Sequence, residues 1–240
     1  MKLTFLGTKG AIKESSPRHR MHSALLVEYL RTRVLIDCGE SWLGMAHDLR
    51  PDFIALTHAH DDHAAGLADG APCFVYATKE TWALIDDFPL DDRDVLAPGR
   101  TAKLADVRVR PFPVEHSTRC PAVALRITCG RRSVLYCSDV VSIRDEQGAM
   151  EGIDLYIGDG ATVTRSLVKP SGGALVGHTP IRTQLTWCAR QGVHRAVFTH
   201  CGKDIVRGDE RTIGPKIRRM GEERGVDASI AHDGMTLVLR

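Results

Sequence analysis

The sequence contains no apolar run long enough to cross a bilayer, no internal repeat and no low-complexity tract. A membrane-spanning, solenoid or disordered protein is therefore not expected. We expect no signal peptide either, because Met1 to Gly7 is typical of a strand followed by a turn. These absences predict a cytoplasmic protein with no membrane partner.

Cysteine pairs spaced as CxxC are also missing, although the chain has seven cysteines. An odd number without such pairs indicates neither a disulfide framework nor a structural zinc knuckle. We expect reduced thiols, most of them buried.

An excess of charge of one sign is lacking as well, since 32 Lys and Arg face 30 Asp and Glu and leave a formal net charge of +2. This balance does not indicate a nucleic-acid partner. The basic segment 209–224 is interpreted as the solvated face of a helix. A second cluster, Arg18-His19-Arg20, is hypothesised to border the functional site and to contact phosphate.

The chain is long enough and apolar enough to form a hydrophobic core, since 43% of its 240 residues are hydrophobic. One compact catalytic domain over 1–240 is expected. Hydrophobic patterning predicts twelve strands and three helices, the helices at 79–86, 181–191 and 211–223. The glycine- and proline-rich segment 169–173 is predicted to be a loop that covers the functional cleft.

The most informative stretch is Thr57-His58-Ala59-His60-Asp61-Asp62-His63, which follows the apolar run 53–56. Side chains two apart on an extended segment share a face, so His58 and His60 can bind one ion. If a helix begins near Asp62, then Asp62 and His63 diverge from that pair and can bind a second ion. Crowding these groups without a cation would be costly, which makes a metal site the favoured interpretation.

This pattern, His-x-His-x-Asp-His after a strand, resembles the hallmark of the metallo-β-lactamase superfamily. The resemblance implies an αββα four-layer sandwich and further ligands downstream, at His116, Asp139 and His200. It implies one metal held by His58, His60, His116 and Asp139, and a second held by Asp62, His63, Asp139 and His200. Asp62 is predicted both to bind a metal ion and to act in catalysis. Zinc is favoured for the two divalent ions, and manganese or iron is compatible with the donors. Four other histidines, His19, His22, His47 and His194, are interpreted as solvated loop residues.

Within the superfamily, the chain resembles the tRNase Z and cyclic-phosphate phosphodiesterase branch, through 3–8, 35–40 and 231–235 and through Gly177-His178-Thr179. Only 22 residues separate His116 from Asp139, so a tRNA-binding arm is not expected there, and a Cys-rich zinc loop is absent after the first strand. The resemblance implies a metal-bridging hydroxide that attacks a small or cyclic phosphodiester or a nucleic-acid end. We interpret His178 as the proton donor to the leaving group and Asp159 as its hydrogen-bond acceptor. The alternatives for them are a helix-cap or loop histidine and an ordinary turn residue.

Two other functions remain open at this point. The same metals could hydrolyse a thioester or lactone, or the chain could be a non-catalytic metal-dependent binding protein. A small-molecule or nucleotide phosphodiester is the expected substrate, and a homodimer is the expected assembly.

Overall fold

The computed structural model describes residues 1–240 and contains seventeen strands and six α-helices. The strands, in chain order, are β1 Lys2–Gly7, β2 Ala24–Tyr29, β3 Thr32–Ile36, β4 Phe53–Ala55, β5 Phe74–Ala77, β6 Arg93–Val95, β7 Ala102–Leu104, β8 Val107–Glu115, β9 Ala122–Cys129, β10 Arg132–Tyr136, β11 Ser142–Ile143, β12 Leu155–Asp159, β13 Lys169–Ser171, β14 Ala174–Val176, β15 Arg195–Thr199, β16 Asp227–Ile230 and β17 Met235–Val238. The helices are α1 Asp61–Ala64, α2 Lys79–Leu84, α3 Glu146–Met150, α4 Ile181–Arg190, α5 Lys203–Val206 and α6 Glu210–Glu222.

The strands form two large sheets and one hairpin. The first sheet has the order β17-β1-β2-β3-β4-β5-β6, antiparallel up to β3 and parallel from β3 to β6. The second has the order β11-β8-β9-β10-β12-β15-β16, with β7 also paired to β8. It is antiparallel as far as β10 and parallel from β10 to β16. In both sheets the parallel strands therefore send their carboxyl ends to one edge.

Alternation along the strands divides the apolar side chains between three cores. Val34 and Ile36 of β3 enter the core between the two sheets, whereas Leu35 enters the core outside the first sheet. Likewise, Leu155 and Ile157 of β12 face the inner core, and Tyr156 faces the core outside the second sheet. This is the period of two expected of strands buried on both faces.

Helices cover the outer face of each sheet. Trp82 of α2 packs in the core outside the first sheet. Leu185 of α4 and Ile217 of α6 pack in the core outside the second sheet. The αββα sandwich implied by the resemblance is therefore confirmed. The longest helix, α6, has 13 residues, and none of the helices is long and apolar enough to span a membrane.

Several short elements differ from the sequence-based expectation. The segment 169–173, predicted to be a loop, forms the β13–β14 hairpin, whose turn uses Gly172 and Gly173 at positive φ. The strands β6, β7 and β11 and the helices α3 and α5 were not predicted. Each has only two to five residues, too few for a period of two or 3.6 to be recognised.

Asp233, in the loop between β16 and β17, fixes the long segment between β1 and β2. Its Oδ1 accepts hydrogen bonds from the amide of Thr8 at 3.0 Å and from the Thr8 hydroxyl at 2.7 Å. Its Oδ2 accepts from the amides of Arg20 at 2.7 Å and Met21 at 3.0 Å. One carboxylate thus ties both ends of the 8–21 segment to the opposite end of the chain.

We expect Asp233→Asn to lower the free energy of unfolding by about 2 kcal/mol, because charge-assisted hydrogen bonds from the amides of Thr8, Arg20 and Met21 are lost. Urea denaturation measures this loss. Faster tryptic cleavage after Arg18 and Arg20 would report the loosened segment. Asp227→Asn, at a side chain that is 73% exposed and 3.9 Å from its ion-pair partner, is the control and should change stability by less than about 0.5 kcal/mol. Equal stability of the two variants would contradict the role given to Asp233.

Candidate metal centre

Five histidines and two aspartates meet where the carboxyl ends of the central strands leave the two sheets. The first sheet contributes the segment after β4, which carries His58 and His60 and then enters the one-turn helix α1. The second contributes the residues that follow β8, β10 and β15, namely His116, Asp139 and His200. All seven predicted metal-binding side chains are therefore brought together at one edge.

The first group of donors consists of His58, His60 and His116. His58 Nε2 lies 3.0 Å from His60 Nδ1, which lies 3.3 Å from His116 Nε2. Nitrogens bound to one zinc ion at about 2.1 Å in a tetrahedron would be about 3.4 Å apart, so the three rings have nearly the required spacing.

The second group consists of Asp62, His63 and His200. His200 Nε2 lies 3.0 Å from Asp62 Oδ2, and His63 Nε2 lies 3.5 Å from the same oxygen. Helix α1 places Asp62 beside His200, as expected for a helix that begins near Asp62. The His63 ring stays 4.2 Å from that of His58, so the two groups of donors are adjacent.

Asp139 lies between the two groups and faces both. Its Oδ2 is 2.9 Å from His63 Nε2, and its Oδ1 is 3.5 Å from His116 Nε2 and 3.6 Å from His200 Nε2. Despite these approaches, the buried Oδ2 has no hydrogen-bond partner of good geometry. A buried carboxylate oxygen without such a bond is costly unless a cation binds it. The donor set therefore fits two divalent ions that share Asp139.

The electrostatic environment favours positive charge at this point. Burial lowers the pKa of His63, but three carboxylates, led by Asp139, outweigh it and hold the pKa well above its usual range. Burial also opposes a charge on His200, yet carboxylates led by Asp139 raise its pKa to about 10. By contrast, burial and the neighbouring His63 hold the pKa of His58 well below its usual value. A metal ion can supply the positive charge that the carboxylates stabilise.

A buried aspartate after β3 orients one of the donors. Asp37 Oδ2 lies 2.8 Å from His63 Nδ1, so His63 Nε2 is left to face Asp139. Its Oδ1 accepts hydrogen bonds from the amide and hydroxyl of Thr57, at 2.8 and 2.9 Å. Asp37 has φ of 60°, a left-handed conformation in which Asp is enriched. Sequence reasoning missed this role, although an Asp at the end of an apolar strand was a visible signal.

Asp159, at the end of β12, has the corresponding position in the second sheet. Its Oδ2 lies 2.8 Å from His178 Nδ1, and its Oδ1 lies 3.5 Å from His200 Nδ1. The amides of Ala161 and Val140 donate to the same carboxylate, at 2.8 and 3.2 Å. This fully buried group is therefore satisfied by backbone donors while it contacts two imidazoles.

His178 completes the row of rings. It stacks on His200 with ring centroids 5.4 Å apart, and its side chain is 23% exposed. Burial lowers its pKa, but the Asp159 carboxylate outweighs this and raises the pKa above the usual value. Because Nδ1 is engaged by Asp159, the Nε2 atom is the one left for another partner.

The backbone near the second group must approach closely. A Cβ atom on Gly10 would lie 2.9 Å from Cε1 of His200, so only glycine leaves room for that ring. His200 itself has φ of 51°, a sparsely populated conformation at the strand end.

Two cavities open beside the donors, on either side of the 9–13 segment. One, of about 330 Å³, reaches His178 and His200 and is bordered by Ile12, Arg165 and Lys203. The other, of about 580 Å³, reaches His60 and Asp62. A small substrate could therefore enter next to either group of donors.

Some sequence-based placements were wrong. His19 and His22 are not solvated but buried, because Thr8 Oγ1 contacts His19 Nδ1 at 2.8 Å and Ser41 Oγ contacts His22 Nδ1 at 2.7 Å. His47 and His194 are exposed, as predicted. The Arg18-His19-Arg20 cluster does not border the donors. Arg18 forms an ion pair with Glu210 at 2.7 Å over a different cavity, of about 270 Å³.

Comparisons with known proteins agree with this fold. A family model described as the beta-lactamase superfamily domain matches residues 32–201. Ribonuclease Z of Methanopyrus kandleri is 35% identical over 144 residues, which are 52% of this chain and 49% of that protein. The matched part therefore spans about half the length of that curated relative.

Two solved structures are similar over nearly their whole length. A diphosphatase from the PhnP family has a TM-score of 0.75 and 22% identity, with 98% of this chain and 96% of that chain covered. Zn²⁺-bound PqqB from Methylobacterium extorquens has a TM-score of 0.74 and 20% identity, with 100% of both chains covered. At such identities the likeness shows the fold.

Asp37→Asn tests the orientation of His63. Asn tolerates the left-handed backbone, but its amide cannot replace the carboxylate that accepts from His63 Nδ1–H, so metal affinity should fall about 10- to 100-fold. Competition with a chromogenic zinc chelator measures the affinity. Asp52→Asn, at an exposed carboxylate that accepts from the Arg33 amide, should leave it unchanged. If Asp37→Asn bound metal as tightly as the unmodified protein does, this role would be refuted.

Proposed function

Because the chain belongs to the β-lactamase superfamily, as the match over residues 32–201 shows, we propose that it is a dinuclear metal-dependent phosphodiesterase. The observation that supports this most strongly is the position of Asp139, whose carboxylate faces both groups of donors, His116 of the first and His63 and His200 of the second. A shared carboxylate of this kind is what a pair of neighbouring cations requires.

In this proposal each ion has four ligands. The first is bound by His58, His60, His116 and Asp139, and the second by Asp62, His63, Asp139 and His200. Zinc is the proposed metal, and manganese or iron would suit the same nitrogen and oxygen donors. When bound, the cations supply Lewis acidity, which lowers the pKa of water and neutralises charge on phosphoryl oxygens.

His178 is the proposed proton donor. The bond from Nδ1 to Asp159 fixes the ring and leaves Nε2 for the oxygen of the leaving group. When water attacks phosphorus and the P–O bond to that group breaks, the departing oxygen takes the proton from Nε2. Asp159 acts through His178 and His200 and is therefore a positioning residue.

The proposed substrate is a small or cyclic phosphodiester or the end of a nucleic acid. The 330 Å³ cavity beside His178 is large enough for a small ligand, and Arg165 and Lys203 place positive charge at its border. The Methanopyrus relative is named Ribonuclease Z, and the PhnP-family neighbour is named a diphosphatase. Both names belong to enzymes that act on phosphate esters or anhydrides. We propose that residues 1–240 act as one catalytic domain.

Asp139→Ala is expected to abolish hydrolysis of bis(p-nitrophenyl) phosphate, because neither group of donors retains its shared ligand. Elemental analysis should show a lower metal content in the same protein. Asp86→Ala, at an exposed aspartate, is the control and should keep both the metal content and the rate.

The same assay, extended to other substrates, tests the class of reaction. Hydrolysis of a thioester or lactone by metal-replete protein, with no turnover of any phosphodiester, would contradict the proposal and favour carbonyl chemistry. No turnover of either class would favour a non-catalytic binding protein.

His178→Ala should keep its metals and lose rate selectively. For a phosphodiester with a poor leaving group, such as an alkyl ester, we expect kcat to fall about 10²- to 10⁴-fold, the usual contribution of general acid catalysis. For the p-nitrophenyl ester the loss should be only a few-fold, since p-nitrophenolate departs without a proton. His194→Ala replaces an exposed histidine and serves as the control. Full activity of His178→Ala on the alkyl ester would show that another group donates the proton.

A further inference from the structure

Three arginines with no carboxylate partner lie together on the outer face of the second sheet. In β8, Arg108 and Arg110 alternate with the buried Val107 and Val109, so both arginines point outwards. Register places Arg126 of β9 directly opposite Arg110. With Thr101 and Thr128, these arginines line a shallow concavity of about 320 Å³, which we call the arginine face.

No ion pair neutralises this charge, although the Glu151 carboxylate acts on Arg126 from a greater distance. None of the three arginines has a carboxylate oxygen within ion-pair distance. Arg126 instead donates to Ser133 Oγ at 3.0 Å and to the Gly148 carbonyl at 3.1 Å, and Arg110 lies over the Phe112 ring at 4.9 Å. Like charges directly opposite each other on antiparallel strands are destabilising. The pair Arg110 and Arg126 is therefore a cost to the folded protein that an anion would relieve.

The lining of the arginine face consists only of hydrogen-bond donors and hydroxyls. It contains no apolar side chain. Lys103 of β7 is paired with Arg108 and adds a fourth cation at the border. A membrane or an amphipathic helix would require apolar contacts, which this face does not offer.

We propose that the arginine face binds the phosphate backbone of a single-stranded nucleic acid. Guanidinium groups bind phosphate oxygens in pairs, and threonine hydroxyls donate to the same acceptors. Residues two apart on a strand are about 6.8 Å apart and neighbouring strands about 4.8 Å, so the face has room for two or three consecutive phosphates. A positively charged groove of this kind can follow the backbone of a flexible single strand.

This inference rests on the proposed function for the identity of the polyanion and deepens it. Arg110 precedes His116 by six residues along the same chain segment, a distance of about 20 Å in a strand. A nucleic acid bound at the arginine face could therefore extend towards the metal centre only if it were several nucleotides long. Long substrates would gain binding energy that a small phosphodiester cannot reach.

The test uses the full chain with its metals and a fluorescent 12-nucleotide 2′-O-methyl oligouridylate, which resists hydrolysis. Fluorescence anisotropy measures Kd from 50 to 300 mM KCl. In Arg108→Gln/Arg110→Gln we expect Kd to rise at least about tenfold at low salt, and the slope of log K against log salt to decrease by about 1.4. Hydrolysis of bis(p-nitrophenyl) phosphate should be unchanged.

The matched control is Arg211→Gln/Arg218→Gln, which removes two exposed, unpaired arginines from α6 and should leave both Kd and slope unchanged. Equal binding by the Arg108/Arg110 variant and the unmodified protein would overturn the inference, as would a loss confined to the α6 control. Competition by poly-glutamate at the same concentration of charge would also overturn it in favour of an acidic polypeptide. If arginine-dependent binding is found but no phosphodiester is cleaved, the inference stands and the proposed activity fails.

Discussion

The structure depends on the mutual attraction of buried carboxylates and imidazoles at the edge where the two sheets end. Asp62 and Asp139 are nearly inaccessible to water, and so are His58, His63 and His200. Removing such groups from water is costly unless positive charge stands between them. The fold meets this demand by bringing donors from two sheets to one point, so the inner core that holds the sheets together also sets the distances within the centre. Packing between the sheets and metal binding are therefore coupled.

A second layer of carboxylates holds the rings in place, one from each sheet. Asp37 engages His63 from the first sheet, and Asp159 engages His178 and approaches His200 from the second. Both carboxylates are fully buried, and both accept hydrogen bonds from backbone amides. These bonds fix the orientation of each carboxylate independently of the rings. A histidine whose far nitrogen is engaged in this way presents the other nitrogen in a defined tautomer and direction. The side chains of the centre are thus oriented by the short turns that follow the strands.

Much of the centre could be predicted because its signals are local. His58, His60, Asp62 and His63 lie within one short segment, and the sandwich followed from the resemblance that this segment carries. What could not be predicted depends on distant parts of the chain. His19 is buried because Thr8, its partner, is held by Asp233 from 225 residues away. Asp37 acquires its role only when β3 and β4 pair side by side. The two-residue strand β11 and the helix α3, which contains Gly148, leave too little pattern to detect.

The net charge of the chain did not predict the arginine face, because that face depends on contacts between residues that are distant in the sequence. A balance of +2 describes the whole chain, whereas many surface arginines are neutralised in pairs such as Arg190 with Glu146 and Arg132 with Asp154. The alternation of valine and arginine in β8 indicates an exposed basic side, but only the register shows that Arg126 lies opposite Arg110 and that no carboxylate intervenes. In the proposed function, chemistry and selection would be separable. The metal centre would act on a phosphodiester that reaches it, and the arginine face, about 20 Å away, would discriminate by the length of the polyanion.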